Sequence, residues 1–174
     1  MAKPVHPVAV LVSRYNESVT GAMLEGAVRA YAERGGDPAG LTIVEAPGAY
    51  ELVALAAAAT DRHKAVVCLG CVIRGETPHD EHIARAVAHG LTDITVKTGV
   101  PVAFGVLTTL NAQQALDRAD GAKGNKGAEA MHAALDAAEG IAALRHGAMP
   151  VRHTVQLSVP DKAVGSAALR GAVN

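Results

Sequence analysis

The chain has 174 residues and a formal net charge of -1, with 16 Lys and Arg set against 17 Asp and Glu. With three Tyr, one Phe and no Trp, it lacks both the basic stripe and the stacking rings of a nucleic-acid binder. No apolar run is long enough to span a bilayer and no charged-then-apolar start marks a signal peptide, so a cytoplasmic domain acting on small molecules is expected.

Val8 to Val12 reads as a short buried strand, followed by the polar break Ser13-Arg14-Tyr15-Asn16-Glu17-Ser18. From Val19 the small and apolar residues Ala22, Met23, Gly26, Ala27, Ala30 and Tyr31 repeat at helical spacing, with Asn16 or Ser18 as the expected N-cap. Leu41 to Glu45 is a second strand, broken by Pro47-Gly48, and Glu51 to Thr60 an Ala-rich helix. Val66 to Ile73 is a third strand that turns abruptly into Arg74-Gly75-Glu76-Thr77-Pro78-His79. A helix to about Lys97 follows, with Ile83, Ala86, Val87, Gly90, Leu91 and Ile94 on one face. Pro101 to Leu107 forms a fourth strand, and Asn111 caps a short helix to Ala119. The Gly- and Lys-rich loop from Asp120 to Lys126 leads into a last helix, Ala128 to Arg145, expected to bury Met131, Ala134, Leu135, Ala138 and Ala142.

Strand and helix alternate four times before the extra helix. That order predicts an α/β three-layer sandwich of single-domain size, with a four-stranded parallel sheet, right-handed crossovers and helices on both faces. Beyond Gly147 the pattern fades, so 148–174 is expected to pack on the surface or to be disordered. The many Ala and Gly bury little area each, and further burial between copies of the chain is expected to make it an oligomer.

All strand-to-helix junctions of such a fold emerge at one edge of the sheet, where open α/β proteins bind ligands. Three of the four carry useful groups. His79 is the junction side chain that titrates near neutral pH and is the natural proton carrier; a solvated helix-start histidine is the plainer alternative. His79 and His82 also stand at i, i+3, a metal pair that lacks an obvious third ligand. Gly75, Glu76 and Thr77 offer backbone N–H groups to an anion at a helix start, or Thr77 simply caps the helix. Tyr15 and Tyr50 either stack on a planar ligand or pack at the core edge, and Glu51 either binds hydroxyls or caps its own helix. Phe104 reads as core, Arg118 as a solvated helix residue. Lys126 belongs either to a basic turn or to a phosphate contact, in a segment that fails the Walker spacing. Cys68 and Cys71, three apart in a strand, point to opposite faces, which argues for buried thiols rather than redox or zinc chemistry. The residues alone imply a pocket for a planar, polyhydroxylated or phosphorylated small molecule.

Five ordered motifs carry a resemblance. They are Ser-Arg-Tyr-Asn from Ser13, Ala-Pro-Gly-Ala-Tyr-Glu from Ala46, Gly-Cys-Val-Ile-Arg-Gly-Glu-Thr-Pro-His from Gly70, Phe-Gly-Val-Leu-Thr-Thr from Phe104, and Gly-Asn-Lys-Gly from Gly124. Together, over roughly Val8 to Arg145, the chain resembles the 6,7-dimethyl-8-ribityllumazine synthase family. The resemblance implies a flavodoxin-like domain over 1–147, with the remaining 148–174 an extension the family does not need. It implies condensation of 5-amino-6-(D-ribitylamino)uracil with 3,4-dihydroxy-2-butanone 4-phosphate in riboflavin biosynthesis, without cofactor or metal.

Carried over by position, Tyr15 stacks on the pyrimidine in a place where the family usually has Phe or Trp. Ala49, Tyr50 and Glu51 hold the ribityl chain, and the backbone of Cys71, Val72 and Ile73 reads the pyrimidine edge. Glu76 and Thr77 form the phosphate turn, and His79 is the proton-transfer group. Phe104 and Arg118 match groups that a neighbouring subunit contributes, Arg118 and Lys126 lying by the phosphate. A ring of five subunits is implied, alone or built into a decamer or a 60-subunit shell, with riboflavin synthase as a candidate partner.

Two departures stand out. Asp80 follows the histidine where the family commonly has an aromatic, and it either acts on His79 or simply faces water. Asp120-Gly121-Ala122-Lys123 replaces the usual Gly-Thr-Lys-Ala, leaving Lys123 without a role. The rival readings are a non-catalytic lumazine- or flavin-binding or shell-forming relative, and a flavodoxin-like electron carrier. The second is disfavoured because no FMN phosphate loop follows the first strand.

Overall fold

The computed structural model describes residues 6–147; the expected extension over 148–174 lies outside the described residues. Four strands, β1 (Val8–Ser13), β2 (Thr42–Ala46), β3 (Ala65–Ile73) and β4 (Val102–Thr109), form one sheet in the order β2-β1-β3-β4. All three pairings are parallel. Five α-helices alternate with or follow them: α1 (Glu17–Glu33), α2 (Leu52–Ala59), α3 (His79–Thr98), α4 (Ala112–Ala119) and α5 (Lys126–Arg145). The result is a flavodoxin-like three-layer sandwich.

Strand alternation sorts the core into two layers. Val8, Val10, Val12, Val67 and Leu69 face α1, α4 and α5, while Ala9, Leu11, Val66 and Cys68 face α2 and α3. Cys71 lies in the first layer and Cys68 in the second, on opposite faces as their spacing requires. Near-continuous apolar runs in β1 and β3 reflect this double coverage.

The α1/α5 side is tightly closed. A Cβ on Gly127 would strike the backbone of Met23, and one on Gly26 would strike the Asn125 side chain. Only glycine permits that approach. Asn125 caps α5 by accepting from the Ala128 N–H at 2.9 Å and donates to the Ala22 carbonyl at 2.9 Å, tying α5 to α1. Arg34 at the end of α1 adds ion pairs to Asp136 and Glu139 of α5.

Several sequence expectations shift. Helix α5 begins at Lys126 rather than Ala128 because Asn125 is its cap, which takes Lys126 out of the loop. Helix α1 begins at Glu17, and neither Asn16 nor Ser18 caps it with a side chain. Asn16 instead takes a left-handed backbone with φ of 58° and turns its side chain elsewhere. On α3, Ala86 is exposed rather than buried, and Ala142 of α5 is half-buried. A short 3-10 turn, Pro38–Gly40, precedes β2. Asn111 does cap α4, accepting from the Gln114 N–H at 2.9 Å.

Candidate active site

The strand order reverses direction at β1 and β3. The chain leaves β1 toward α1 on one face and leaves β3 toward α3 on the other, which opens a crevice at their carboxyl ends. Register deepens it. β1 pairs with β3 only as far as Val12↔Leu69, whereas β3 and β4 continue together to Ile73↔Thr109. Residues 70–73 of β3 therefore have a strand on one side only. Arg74 donates its N–H to Thr109 O on β4 at 2.8 Å, so by alternation the backbones of Cys71 and Ile73 face the side where β1 has ended.

Asn16 reaches across this gap. Its Nδ2 donates to the Cys71 carbonyl at 2.9 Å, linking the β1 exit to the β3 exit. The sequence marked Asn16 only as a cap, although Asn is the residue type that best tolerates the left-handed region outside glycine.

Beside this link lies a cavity of about 580 Å³. The β1 exit supplies Tyr15 and the β2 exit supplies Gly48, Ala49, Tyr50 and Glu51. Helix α3 supplies His79, His82, Ile83 and Ala86. Tyr15 and Tyr50 are 70% and 60% exposed, unlike the core ring Tyr31 at 4%; the core-edge alternative for these two does not hold. Two rings that bury so little against their own chain are available to a planar ligand. Glu51 holds the N-cap position of α2 but makes no capping hydrogen bond. A Cβ on Gly48 would stand 3.0 Å from Glu51 Oε2 and 3.1 Å from the Tyr15 ring. Glycine there lets the carboxylate and the ring meet over the loop.

His79 is the first residue of α3 and is exposed. Thr77 does not cap this helix. Pro78 sits at the N-cap with no side-chain hydrogen bond, leaving first-turn N–H groups to water or an anion. Asp80 does not simply face water: it is half-buried, and its Oδ1 is enclosed without a hydrogen-bond partner. Among the described residues no three His, Cys, Asp or Glu stand close enough to hold a metal ion, so His79 and His82 remain a pair. Burial pushes the Cys68 thiol up to about 12 and the Cys71 thiol up to about 11. Both are protonated at neutral pH and poor nucleophiles.

One copy of the chain thus brings Tyr15, Ala49, Tyr50, Glu51 and His79 to a single cavity. Cys71, Val72, Ile73, Glu76 and Thr77 stand at the β3 exit without lining it. Phe104, Arg118 and Lys126 are elsewhere. Phe104 is not core: it is 46% exposed and lines a second groove of about 290 Å³ between α3 and β4, beside Val96. Arg118 is half-buried, and its Nη1 donates to Gln114 O of its own helix at 2.9 Å. Lys126 pairs with Glu129 at 2.7 Å. His82, Ile83 and Ala86 are cavity residues that the sequence reading did not place there. Their spacing from His79 on α3 was the signal.

Comparison with known proteins gives a consistent picture. Residues 6–141 match the model of the family described as 6,7-dimethyl-8-ribityllumazine synthase. A protein of that name from Thermus thermophilus is 48% identical over 130 residues, covering 74% of this chain and 83% of the relative. The 6,7-dimethyl-8-ribityllumazine synthase 1 of Caulobacter vibrioides is 43% identical over 152 residues, 86% of this chain and 99% of the relative. A relative of the same name from Campylobacter hominis is 42% identical over 131 residues, 74% of this chain and 84% of the relative.

Proposed function

The chain belongs to the 6,7-dimethyl-8-ribityllumazine synthase family, and from that premise we propose that it is a lumazine synthase, a transferase of riboflavin biosynthesis. It condenses 5-amino-6-(D-ribitylamino)uracil with 3,4-dihydroxy-2-butanone 4-phosphate to 6,7-dimethyl-8-ribityllumazine, phosphate and water. The observation that carries this reading is the cavity at the β1/β3 crevice, where two open tyrosine rings, a free-standing carboxylate and an imidazole meet.

Each group has work in that reaction. Tyr15 stacks on the pyrimidine, while Ala49, Tyr50 and Glu51 hold the ribityl hydroxyls. The backbone of Cys71 to Ile73 serves as a hydrogen-bonding edge for the pyrimidine, with Asn16 occupying the Cys71 carbonyl. Glu76, Thr77 and the open first turn of α3 receive the phosphate of the second substrate. The 5-amino nitrogen attacks the ketone carbon, and water leaves to give an imine. Phosphate then departs as a proton is lost from carbon, and the ribityl-bearing nitrogen closes the ring with loss of water. His79 relays the protons that these steps move between nitrogen, carbon and oxygen. Holding amine and ketone together contributes more than any single proton transfer.

Phe104, Arg118 and Lys126 are assigned to the same chemistry but from a neighbouring copy. Phe104 lies outside the cavity of its own chain, and Arg118 and Lys126 are not among the cavity's lining residues. The α3/β4 groove, with Val96 78% exposed, supplies an apolar face for that neighbour. A ring of five copies with a site at each interface is the assembly we assign, with the decamer and the 60-subunit shell as its higher forms and riboflavin synthase as a partner for the product.

Mixing the purified protein with both substrates and following lumazine absorbance tests the activity. Acceleration over the spontaneous reaction is expected. Its absence would leave a lumazine-binding or shell-forming relative. In the same assay His79→Ala should lower kcat about a hundredfold, the low end for a general acid–base group, with binding of 6,7-dimethyl-8-ribityllumazine largely kept.

A further inference from the structure

His82 is the chemistry-bearing group of the cavity wall that the reaction above leaves unused. The four α3 residues lining the cavity, His79, His82, Ile83 and Ala86, follow the 3,4 spacing of one helix stripe. Four residues further along that stripe is Gly90, where a Cβ would stand 2.7 Å from Val53 Cγ1 of α2. There the two helices close on each other.

The stripe therefore has a direction. It starts at the first turn of α3, next to Glu76 and Thr77, and ends under the beginning of α2, where Glu51 stands two residues before Val53. His82 lies roughly 4.5 Å along the helix axis from His79 toward the closed end. It is thus farther than His79 from the turn assigned to phosphate. Glu51 lines the same cavity, and its carboxylate disfavours a second anion at that end. Neutral hydroxyls suit it better, since an imidazole can donate or accept and a carboxylate accepts. Of the other charged α3 residues on this turn, Arg85 pairs with Glu81 at 3.5 Å, and Asp80 does not line the cavity. Ile83 and Ala86 are apolar, so His82 is the polar group that α3 adds beyond His79.

We propose that His82 positions the hydroxylated chain of the amine substrate, hydrogen-bonding to it together with Glu51 and so setting the affinity for that substrate alone. This deepens the lumazine synthase reading and rests on it. His82 acts by holding the amine, and His79 moves protons.

The test uses the full chain with His82→Ala and His82→Gln. The residue is exposed on a helix surface, so both variants should fold, as circular dichroism and light scattering will verify. Rates are measured against each substrate in turn, and again with an amine analogue whose 6-amino group carries a methyl instead of the ribityl chain. His82→Ala should raise KM for the natural amine about tenfold, the loss of one hydrogen bond. Both kcat and KM for the butanone phosphate should stay within about twofold, the limit of an unperturbed contact. His82→Gln, which keeps a hydrogen-bonding group, should restore most of the affinity. With the methyl analogue, wild type and variants should be alike. An unchanged KM for the natural amine, or a rise confined to the phosphate substrate, overturns the assignment. Should wild type fail to accelerate the condensation, the enzyme reading fails separately. Fluorescence titration with 6,7-dimethyl-8-ribityllumazine then decides on His82: weaker binding in the Ala variant alone supports it, and equal binding refutes it.

Discussion

Helices α3 and α5 are each 20 residues long, yet α5 buries six residues and α3 only Val87 and Leu91. The difference separates the layer that makes the fold from the layer that makes the site. On the α1/α5 side, Gly26, Gly127 and Asn125 let the helices interlock. On the α2/α3 side the sheet is covered thinly. There α3 lines a cavity with one end and an apolar groove, holding Phe104 and Val96, with the other. In the assembly we propose, a second copy covers this exposed face of α3 and brings Arg118 and Phe104 to the cavity.

The largest effect should come from charging the open layer. Val96→Glu leaves the isolated chain intact, since the side chain is already exposed. In an assembly it buries an unpaired carboxylate, costing about 3 kcal/mol or more per interface, over a hundredfold in association. Light scattering should show the assembly lost and the assay a rate near that of the uncatalysed reaction. An intact, active oligomer would mean that this face of α3 is not an interface.

Gly127→Ala tests the closed layer. Its methyl group collides with the Met23 backbone, and such overpacking costs about 1–3 kcal/mol. Thermal unfolding should move down by several degrees, while the protein that remains folded keeps its KM values. A change in KM without loss of stability would break the division between the two layers.

The last effect, absent at neutral pH, concerns the sheet that both layers share. The folded state holds the Cys68 and Cys71 thiols neutral and raises them above the usual 9.0, by burial, to about 12 and about 11. Below pH 9 their contribution to stability is complete. As pH rises through 11 and 12 the unfolded chain binds fewer protons than the native one, and the contribution is lost. Urea midpoints should therefore fall between pH 9 and 11, and Cys68→Ala combined with Cys71→Ala should flatten that decline. Equal slopes with and without the thiols would contradict it.

The sequence made the closed layer easy to read and the open one hard. Val19, Met23, Ala27 and Ala30 recur at helical spacing because they are buried on their own chain, so periodicity located them. The same rule set Ala86 on the apolar face of α3, and Phe104 was read as core simply as the one Phe; both are exposed. Periodicity reports burial without saying against which copy. The junction rule gathered Tyr15, Tyr50, Glu51 and His79 correctly at one sheet edge because parallel topology leaves them nowhere else to go. It missed His82 and Ile83, which reach the cavity through helix spacing rather than from a loop. Asn16 holds the N-cap position of α1 as expected, but its side chain does not cap the helix. Its left-handed backbone follows from the tertiary link to Cys71, which no local pattern carries.

Subunit mixing tests the shared site most directly. His79→Ala and Arg118→Ala variants, each weak at substrate concentrations below KM, are unfolded together, refolded as mixed assemblies and assayed. If His79 and Arg118 of one site come from different copies in a head-to-tail ring, about a quarter of the sites in an equal mixture regain both residues. Activity should rise to about a quarter of the wild-type value. A mixture no more active than the average of the two variants would place both residues on the same copy and contradict the account.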